Sequence, residues 1–465
     1  MPKRNGHTLR RIRYSTLYRV RNNELQIIGV THHSRRPGYW KKVHRRGLKV
    51  QRERSFAEIL SSRITSGKIS PRPLEAGECQ SPSGQRCSLC HAGNLDYAAE
   101  LKLKNDALQT CWSALHLDVP LDDLVPSPLG RNYRTTTKRR AFQTRDSIRL
   151  GLISPSDQGG LKPFDVVRCA IEPTEHAVIY QYVQESIVKA HAKALAQVLR
   201  YVIIRGNYHE QTLIFNVAEM APDVLHAANT LSKTLTKRFP TIVGLFVYED
   251  NSNPQYYLGA TNLRRELQFK KLYGKSELFQ RVLGRSFLYA PLSFSQINQS
   301  LIENMIRSSV ELLQPKKRSR FYDLYCGYGL FALCLSEHVS SVVGVESSSS
   351  SIESAIANAK RQRIANTRFI RCAIDKACIE RVMKDSRPED IVLLDPPRSG
   401  TAAGVLESIA ARRPARVLHI FCEIDLIGGE LQRWQASGYT PVRAIPLDMF
   451  PGTATIEAMV LLHQE

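Results

Sequence analysis

From residue 300 onward, short apolar runs alternate with longer stretches in which apolar residues recur every three or four positions. The runs FYDLY, SVVGVE, TRFIRC, DIVLLD and RVLHIF read as strands. Helices are predicted from Gly329, from Ser350 and after each later run, and two strands close the chain. Such alternation builds a parallel sheet with helices on both faces and puts a ligand at the carboxyl ends of its strands. Upstream, LDYAAELKLKNDALQTCWSAL carries a helical period, and RNYRTTTKRRAFQTRDSIRLGLIS alternates like an Arg-rich sheet edge. Beyond Cys169 the pattern predicts a helix (SIVKAHAKALAQVLR), the strands YVIIRG and TLIFNVAE, a helix (DVLHAANTLSKTLTKRF) and the strand TIVGLFVYE, a compact α/β module. The first stretch is basic and broken by RRPGYW and GKISPRP. The resulting partition is a basic extension of uncertain order over 1–75, a central α/β domain over 76–290 and a strand-helix domain over 291–465.

Charge changes this picture more than composition does. The net charge is +22, and residues 1–54 set sixteen Lys or Arg against Glu24 and Glu53, which puts +14 there and +8 on the rest. A field of that sign attracts polyanions, nucleic acid first among them. A solvated tail without a partner and an organellar transit segment are the alternatives; the apolar region of a secretory signal is missing. No apolar run has the length of a membrane span. Of ten cysteines, Cys111, Cys326, Cys334, Cys372, Cys378 and Cys422 are scattered without pairing signals, as in an intracellular protein with reduced thiols.

Several motifs carry chemistry. In DLYCGYGLF a strand ends in a turn where Gly327 and Gly329 allow close approach to a ligand. Glu346 ends the next strand, where a carboxylate can accept from ribose hydroxyls. The third glycine of the dinucleotide fingerprint is missing, which favours S-adenosylmethionine over a nicotinamide dinucleotide. LLDPPRSG sets Asp395 and Arg398 on a turn stiffened by two prolines. Cys422 follows RVLHIF at the same rim, where a nucleophile belongs, although a strand cysteine is more often a small buried hydrophobe. Glu457 opens the last strand after a Pro-Gly turn and could serve as a base, and FSQINQ offers the amides of Gln296 and Asn298. Cys79, Cys87 and Cys90, with Cys169 further on, have the spacing of either structural zinc or an iron-sulfur cluster.

In this order the pieces LYGKSELFQRVLGRSFLYAPLSFSQIN, DLYCGYGLF, VVGVE, LLDPPRSG, the strand ending in Cys422 and DMFPGTATIE resemble the RNA (uracil-5)-methyltransferase family over about 79–465. The four-cysteine pattern is similar to its iron-sulfur-bearing ribosomal RNA branch. The resemblance implies a Rossmann-like S-adenosylmethionine-dependent methyltransferase domain preceded by a central domain bearing a cysteine-ligated cluster. It implies Cys422 as nucleophile and Glu457 as base, with Gln296, Tyr325, Glu346 and Asp395 at the cofactor, joined by the glycines 327 and 329. Cys79, Cys87, Cys90 and Cys169 become ligands of a [4Fe-4S] cluster, with zinc as the alternative. The partner implied is ribosomal RNA, or transfer RNA, met by a cytoplasmic monomer away from membranes. The target uridine must leave its stack, and Arg131, Arg134, Lys138, Arg139 and Arg140 are expected to hold phosphates.

Four positions depart from the family pattern. Glu423 and Ile424 stand where Asn-Pro usually follows the nucleophile, Thr455 replaces a His before the base, and Leu330 replaces a polar residue. Glu423 is expected to raise the pKa of the neighbouring thiol. Together with Thr455 it leaves open an RNA-binding paralogue with lost or slowed catalysis.

Overall fold

The computed structural model describes residues 14–21, 24–32, 54–67, 69–116, 119–143, 148–155, 161–189, 192–250 and 269–464. Two compact units emerge, Met1–Arg54 and Ser55–Glu465. Within the first, strands β1 (Tyr14–Arg21) and β2 (Glu24–His32) pair antiparallel, Tyr14 opposite His32 and Arg21 opposite Glu24. The basic segment therefore holds a hairpin, and its expected stretches 1–13 and 33–53 lie outside the described residues.

The second unit opens with α1 (Phe56–Ser66), capped by Ser55 and Glu58 in a reciprocal box, and α2 (Tyr97–Ala114). Its first sheet takes β3 (Thr137–Gln143), β4 (Ile148–Pro155), β5 (Leu161–Phe164), β6 (Leu199–Gly206), β7 (Gln211–Val217), β8 (Ile242–Glu249) and β9 (Phe269–Gly274) in the order β5-β4-β3-β6-β7-β8-β9. Only the β7–β8 pair is parallel. The Arg-rich strand β3 thus lies inside the sheet rather than at its edge, which β5 occupies. The helix expected from Ser186 starts earlier, at Thr174, because His176, Ile179, Tyr180, Val183 and Ile187 form the buried stripe; a shorter helix, Lys193–Val198, follows.

After the hairpin β10 (Leu278–Val282) and β11 (Arg285–Tyr289), the second sheet takes β12 (Arg320–Leu324), β13 (Ser341–Glu346), β14 (Thr367–Arg371), β15 (Ile391–Leu394), β16 (Arg416–Phe421), β17 (Tyr439–Leu447) and β18 (Glu457–Gln464). Its order is β14-β13-β12-β15-β16-β18-β17, with five parallel strands and β18 inserted antiparallel between β16 and β17. Both sheets are mixed; in the second, the five strands that precede the two closing ones are parallel, as the alternation predicts. Successive residues feed opposite faces: Val392 and Leu394 join one core while Ile391 and Leu393 join the other. On the first face α1 and α2 contribute Phe56, Leu60, Leu108 and Trp112; on the second the helix Ile302–Leu313 contributes Ile302, Met305 and Ile306. Residues 121 and 125 also bridge to Ala444 and Leu447. The packing therefore cuts across the boundaries drawn at 75 and 290: the compact unit begins at Ser55, and its first two helices cover the carboxy-terminal sheet.

Candidate active site

Strands β12, β13, β15 and β16 end side by side, and β18, running the other way, begins at the same rim. Its pairing sets Ala458 opposite Phe421, so Glu457 arrives beside Cys422. The Cys422 thiol donates to Asp395 Oδ1 at 3.3 Å and to the Pro396 carbonyl at 3.6 Å, and Gln296 Nε2 donates to Asp395 Oδ2 at 3.4 Å. The sequence-selected nucleophile, base, acid and amide thus form one cluster. Asn298 turns the other way and holds the Met449 carbonyl at 3.2 Å.

Burial governs the electrostatics. Glu457 is 2% exposed, and its Oε2 has no hydrogen-bond partner among the described residues. Burial first, then the Asp395 charge, pushes its carboxyl up to about 8, against the pull of Arg398. Asp395 is raised by burial to about 6, and the Cys422 thiol is pushed far above its ordinary 9 by burial, then by Asp395 and Glu457. The expected cause of the thiol shift needs correction. The leading carboxylates acting on Cys422 are Asp395 and Glu457 across the rim, whereas the carboxyl of Glu423, itself raised by burial, is drawn down by Arg398. Arg398 is the cation that acts on Cys422, Glu423 and Glu457 alike, and its guanidinium lies 5.6 Å over the Phe450 ring.

Beside this cluster lies the glycine-rich turn. Tyr325, Gly327 and Gly329 all have left-handed backbones, with φ of 67°, 53° and 87°. Tyr325 is the strained member, since a side chain disfavours that region, and such strain gathers at ligand sites. A Cβ on Gly327 would meet nothing within 4 Å, so the backbone faces open space where a ligand can approach. Glu346 accepts from Gly327 N at 3.3 Å, Ser347 N at 2.6 Å and Ser348 N at 2.9 Å, a rigid carboxylate at the cleft. Buried Asp323 fixes the following helix through Ala332 N at 2.8 Å. These residues fit a nucleoside cofactor. Sequence reasoning missed Glu430, whose Oε1 accepts Thr401 N and Oγ1 at 2.8 Å each and so braces the turn after Arg398; in LIGGELQ it reads as an ordinary solvated helix residue.

Cys79, Cys87, Cys90 and Cys169 line one cavity of about 530 Å³ with Arg134, Lys138 and Arg140. Burial raises the thiols of Cys87 and Cys169, and that of Cys90 to about 12 with help from Cys87 and Cys79. Among the described residues, no three His, Cys, Asp or Glu side chains stand close enough to hold a metal ion. Two expected phosphate contacts fail. Alternation along β3 turns Arg139 inward, where it forms a buried two-pronged pair with Glu172 at 2.8 and 2.6 Å. Arg131 is spent on the carbonyls of Ala92 and Leu95, at 3.1 and 2.9 Å, and on Glu100 at 2.9 Å.

Comparison with known proteins places the rim within a matched segment. Residues 258–465 match the tRNA (uracil-5-)-methyltransferase family. Proteins named "Uncharacterized RNA methyltransferase" from Thermotoga maritima and Clostridium tetani are 26% and 23% identical to it, each over 81% of this chain and covering 82% and 81% of their own length. In fold, the chain is similar to Pyrococcus abyssi tRNA (uracil-54, C5)-methyltransferase in complex with S-adenosyl-L-homocysteine, at a TM-score of 0.59 and 20% identity over 81% of this chain and 87% of that one. No described helix is long and apolar enough to cross a membrane.

Proposed function

We propose that the protein methylates carbon 5 of a uridine in RNA through a covalent adduct on Cys422, with Glu457 as the base. The observation that carries this reading is the meeting of a half-buried thiol, two raised carboxyls and an amide at one sheet rim, the thiol and the amide both bonded to Asp395. S-adenosylmethionine would supply an electrophilic methyl group, held by Glu346, the left-handed turn 325–329 and Gln296. Carbon 5 of uracil is a weak nucleophile, so Cys422 Sγ adds to carbon 6 and the ring's electron pair becomes available at carbon 5. Once that pair has bonded the methyl group, Glu457 takes the carbon 5 proton, the C–H pair restores the ring double bond, and the bond from carbon 6 breaks with its pair on sulfur. Burial serves this chemistry, because Glu457 raised to about 8 is a stronger base than a solvated carboxylate.

Ribosomal RNA is the substrate this reading favours, on the four cysteines that line one cavity. An iron-sulfur cluster there would draw the four thiols, Cys169 buried and the other three partly so, closer together than they stand among the described residues. Brown protein with bound iron after anaerobic purification is expected; colourless protein carrying zinc overturns the cluster. Transfer RNA is the second reading, favoured by the substrate named for the Pyrococcus abyssi structure. Mapping methylated uridines in ribosomal and transfer RNA separates the two. The function itself is tested with 5-fluorouridine RNA and labelled cofactor. A denaturation-resistant labelled adduct lost in Cys422→Ala is expected. No adduct from folded, RNA-binding protein would leave a non-catalytic RNA-binding paralogue.

A further inference from the structure

The loop 448–453 that leads to Glu457 is held by segments outside its own sheet at every residue from Asp448 to Gly452. Asp448 accepts from Tyr97 OH at 3.1 Å and Lys104 Nζ at 2.8 Å. The carbonyls of Met449, Phe450 and Pro451 accept from Asn298 at 3.2 Å, Lys104 at 3.2 Å and Tyr133 at 3.0 Å. Gly452 donates its N–H to Glu100 and accepts from Ala92 N at 2.9 Å. Lys104 and Glu100, one turn apart on α2 and each with a fully buried side chain, pair at 2.8 Å. With Asp448 and Arg131 they close a set of two cations and two anions. The three donors of Lys104 are all used, on Glu100, Asp448 and the Phe450 carbonyl.

A buried ion pair adds little net stability, since desolvation offsets attraction, but it fixes geometry sharply. This one fixes the loop that delivers a base. The geometry points to Lys104 and Glu100 as positioning residues for the proton-abstraction half of the reaction, setting Glu457 and the Phe450 ring beneath Arg398. The inference rests on the uracil methylation reading above. After methyl transfer, carbon 5 carries both the new methyl and its proton. Glu457 takes the proton, the C–H electron pair forms the carbon 5–carbon 6 double bond, and the bond from carbon 6 to Cys422 Sγ breaks with its pair on sulfur. Addition of Cys422 and cofactor binding depend on β12, β13, β15 and β16, which this network does not hold. A loosened loop therefore slows release and spares the earlier steps.

The test compares full-length wild type with Lys104→Met and Glu100→Gln on ordinary uridine RNA. Glu100→Gln keeps an acceptor for Gly452 N–H while it removes the charge and the acceptor facing Arg131, so it answers the question if Lys104→Met does not fold. The variants are expected to accumulate a denaturation-resistant methylated RNA adduct and to turn over about 10- to 100-fold more slowly, the scale of a misplaced catalytic group. Adduct formation with 5-fluorouridine RNA and cofactor affinity should stay within about twofold of wild type. Unchanged turnover, or turnover, adduct formation and cofactor affinity falling together, would overturn the positioning role. A wild-type chain that forms no adduct with 5-fluorouridine RNA overturns the methylation reading and this inference with it.

Discussion

Replacing Glu457 by Gln should make the protein more stable as pH rises, relative to wild type, while removing its base. The carboxyl is 2% exposed and held near 8 against an ordinary 4.5, so the folded chain keeps a proton that the unfolded chain gives up. The stabilisation of a carboxyl raised in this way is complete below 4.5, falls as pH climbs, and is fully lost above about 8. At about 1.4 kcal/mol for each pKa unit, the loss at alkaline pH approaches about 5 kcal/mol, and about 3 kcal/mol is already gone at pH 7. Gln does not titrate, and its buried amide lacks a partner where Oε2 lacked one, a penalty of about 1–3 kcal/mol at every pH. The variant should therefore be no more stable than wild type near pH 5 and more stable by about 2–4 kcal/mol at pH 8.5. Urea unfolding of both proteins from pH 5 to 9 measures this directly. Parallel pH profiles, or a difference that moves against the variant as pH rises, would refute the claim that burial holds the proton on Glu457.

The ratio of S-adenosylmethionine to S-adenosylhomocysteine affinity should grow between pH 5 and 8 in calorimetric titrations, because Asp395, raised to about 6, then ionises beside the cationic sulfur; a flat ratio contradicts this. Arg139→Met strands the buried Glu172 carboxylate and should lower stability by about 3–5 kcal/mol without changing the salt slope of RNA binding in the folded protein. Arg140→Ala, at the cysteine-lined cavity, should instead reduce that slope by about one while stability stays within about 0.5 kcal/mol. Gly329→Ala forces a side chain into φ 87° and brings its Cβ to 3.2 Å from that of Ala355, so cofactor affinity should fall with a loss of about 1–2 kcal/mol in stability, read by thermal unfolding.

The rim was legible because strand ends announce it: Glu346, Asp395 and Cys422 each follow an apolar run, and the alternation of runs and helices fixes where those ends gather. Glu457 was legible only by position after a Pro-Gly turn; its role depends on β18 running against β16, which no local pattern encodes. Arg139 and Arg140 show the limit at one-residue scale. Both look like phosphate contacts in sequence, and the pleat of β3 sends one into an ion pair and leaves the other at the cavity. Lys104 is harder still. Within LKLKND it reads as a solvated helical lysine, and only its distant partner Asp448 explains its complete burial.

The insertion of β18 between β16 and β17 has a consequence for how the protein comes into being. Strand β17 is made first yet lies outermost, so it cannot dock on β16; it must wait for the strand that follows it in the chain. During synthesis the parallel strands can assemble with the Cys422 thiol in place while Glu457 is still absent. On the proposed mechanism, the nucleophile and the base therefore mature at different moments. A nascent chain that captured a uridine before β18 closed the sheet would lack the residue that frees it, which makes late folding of the last strand a safeguard only if substrate is held off until then.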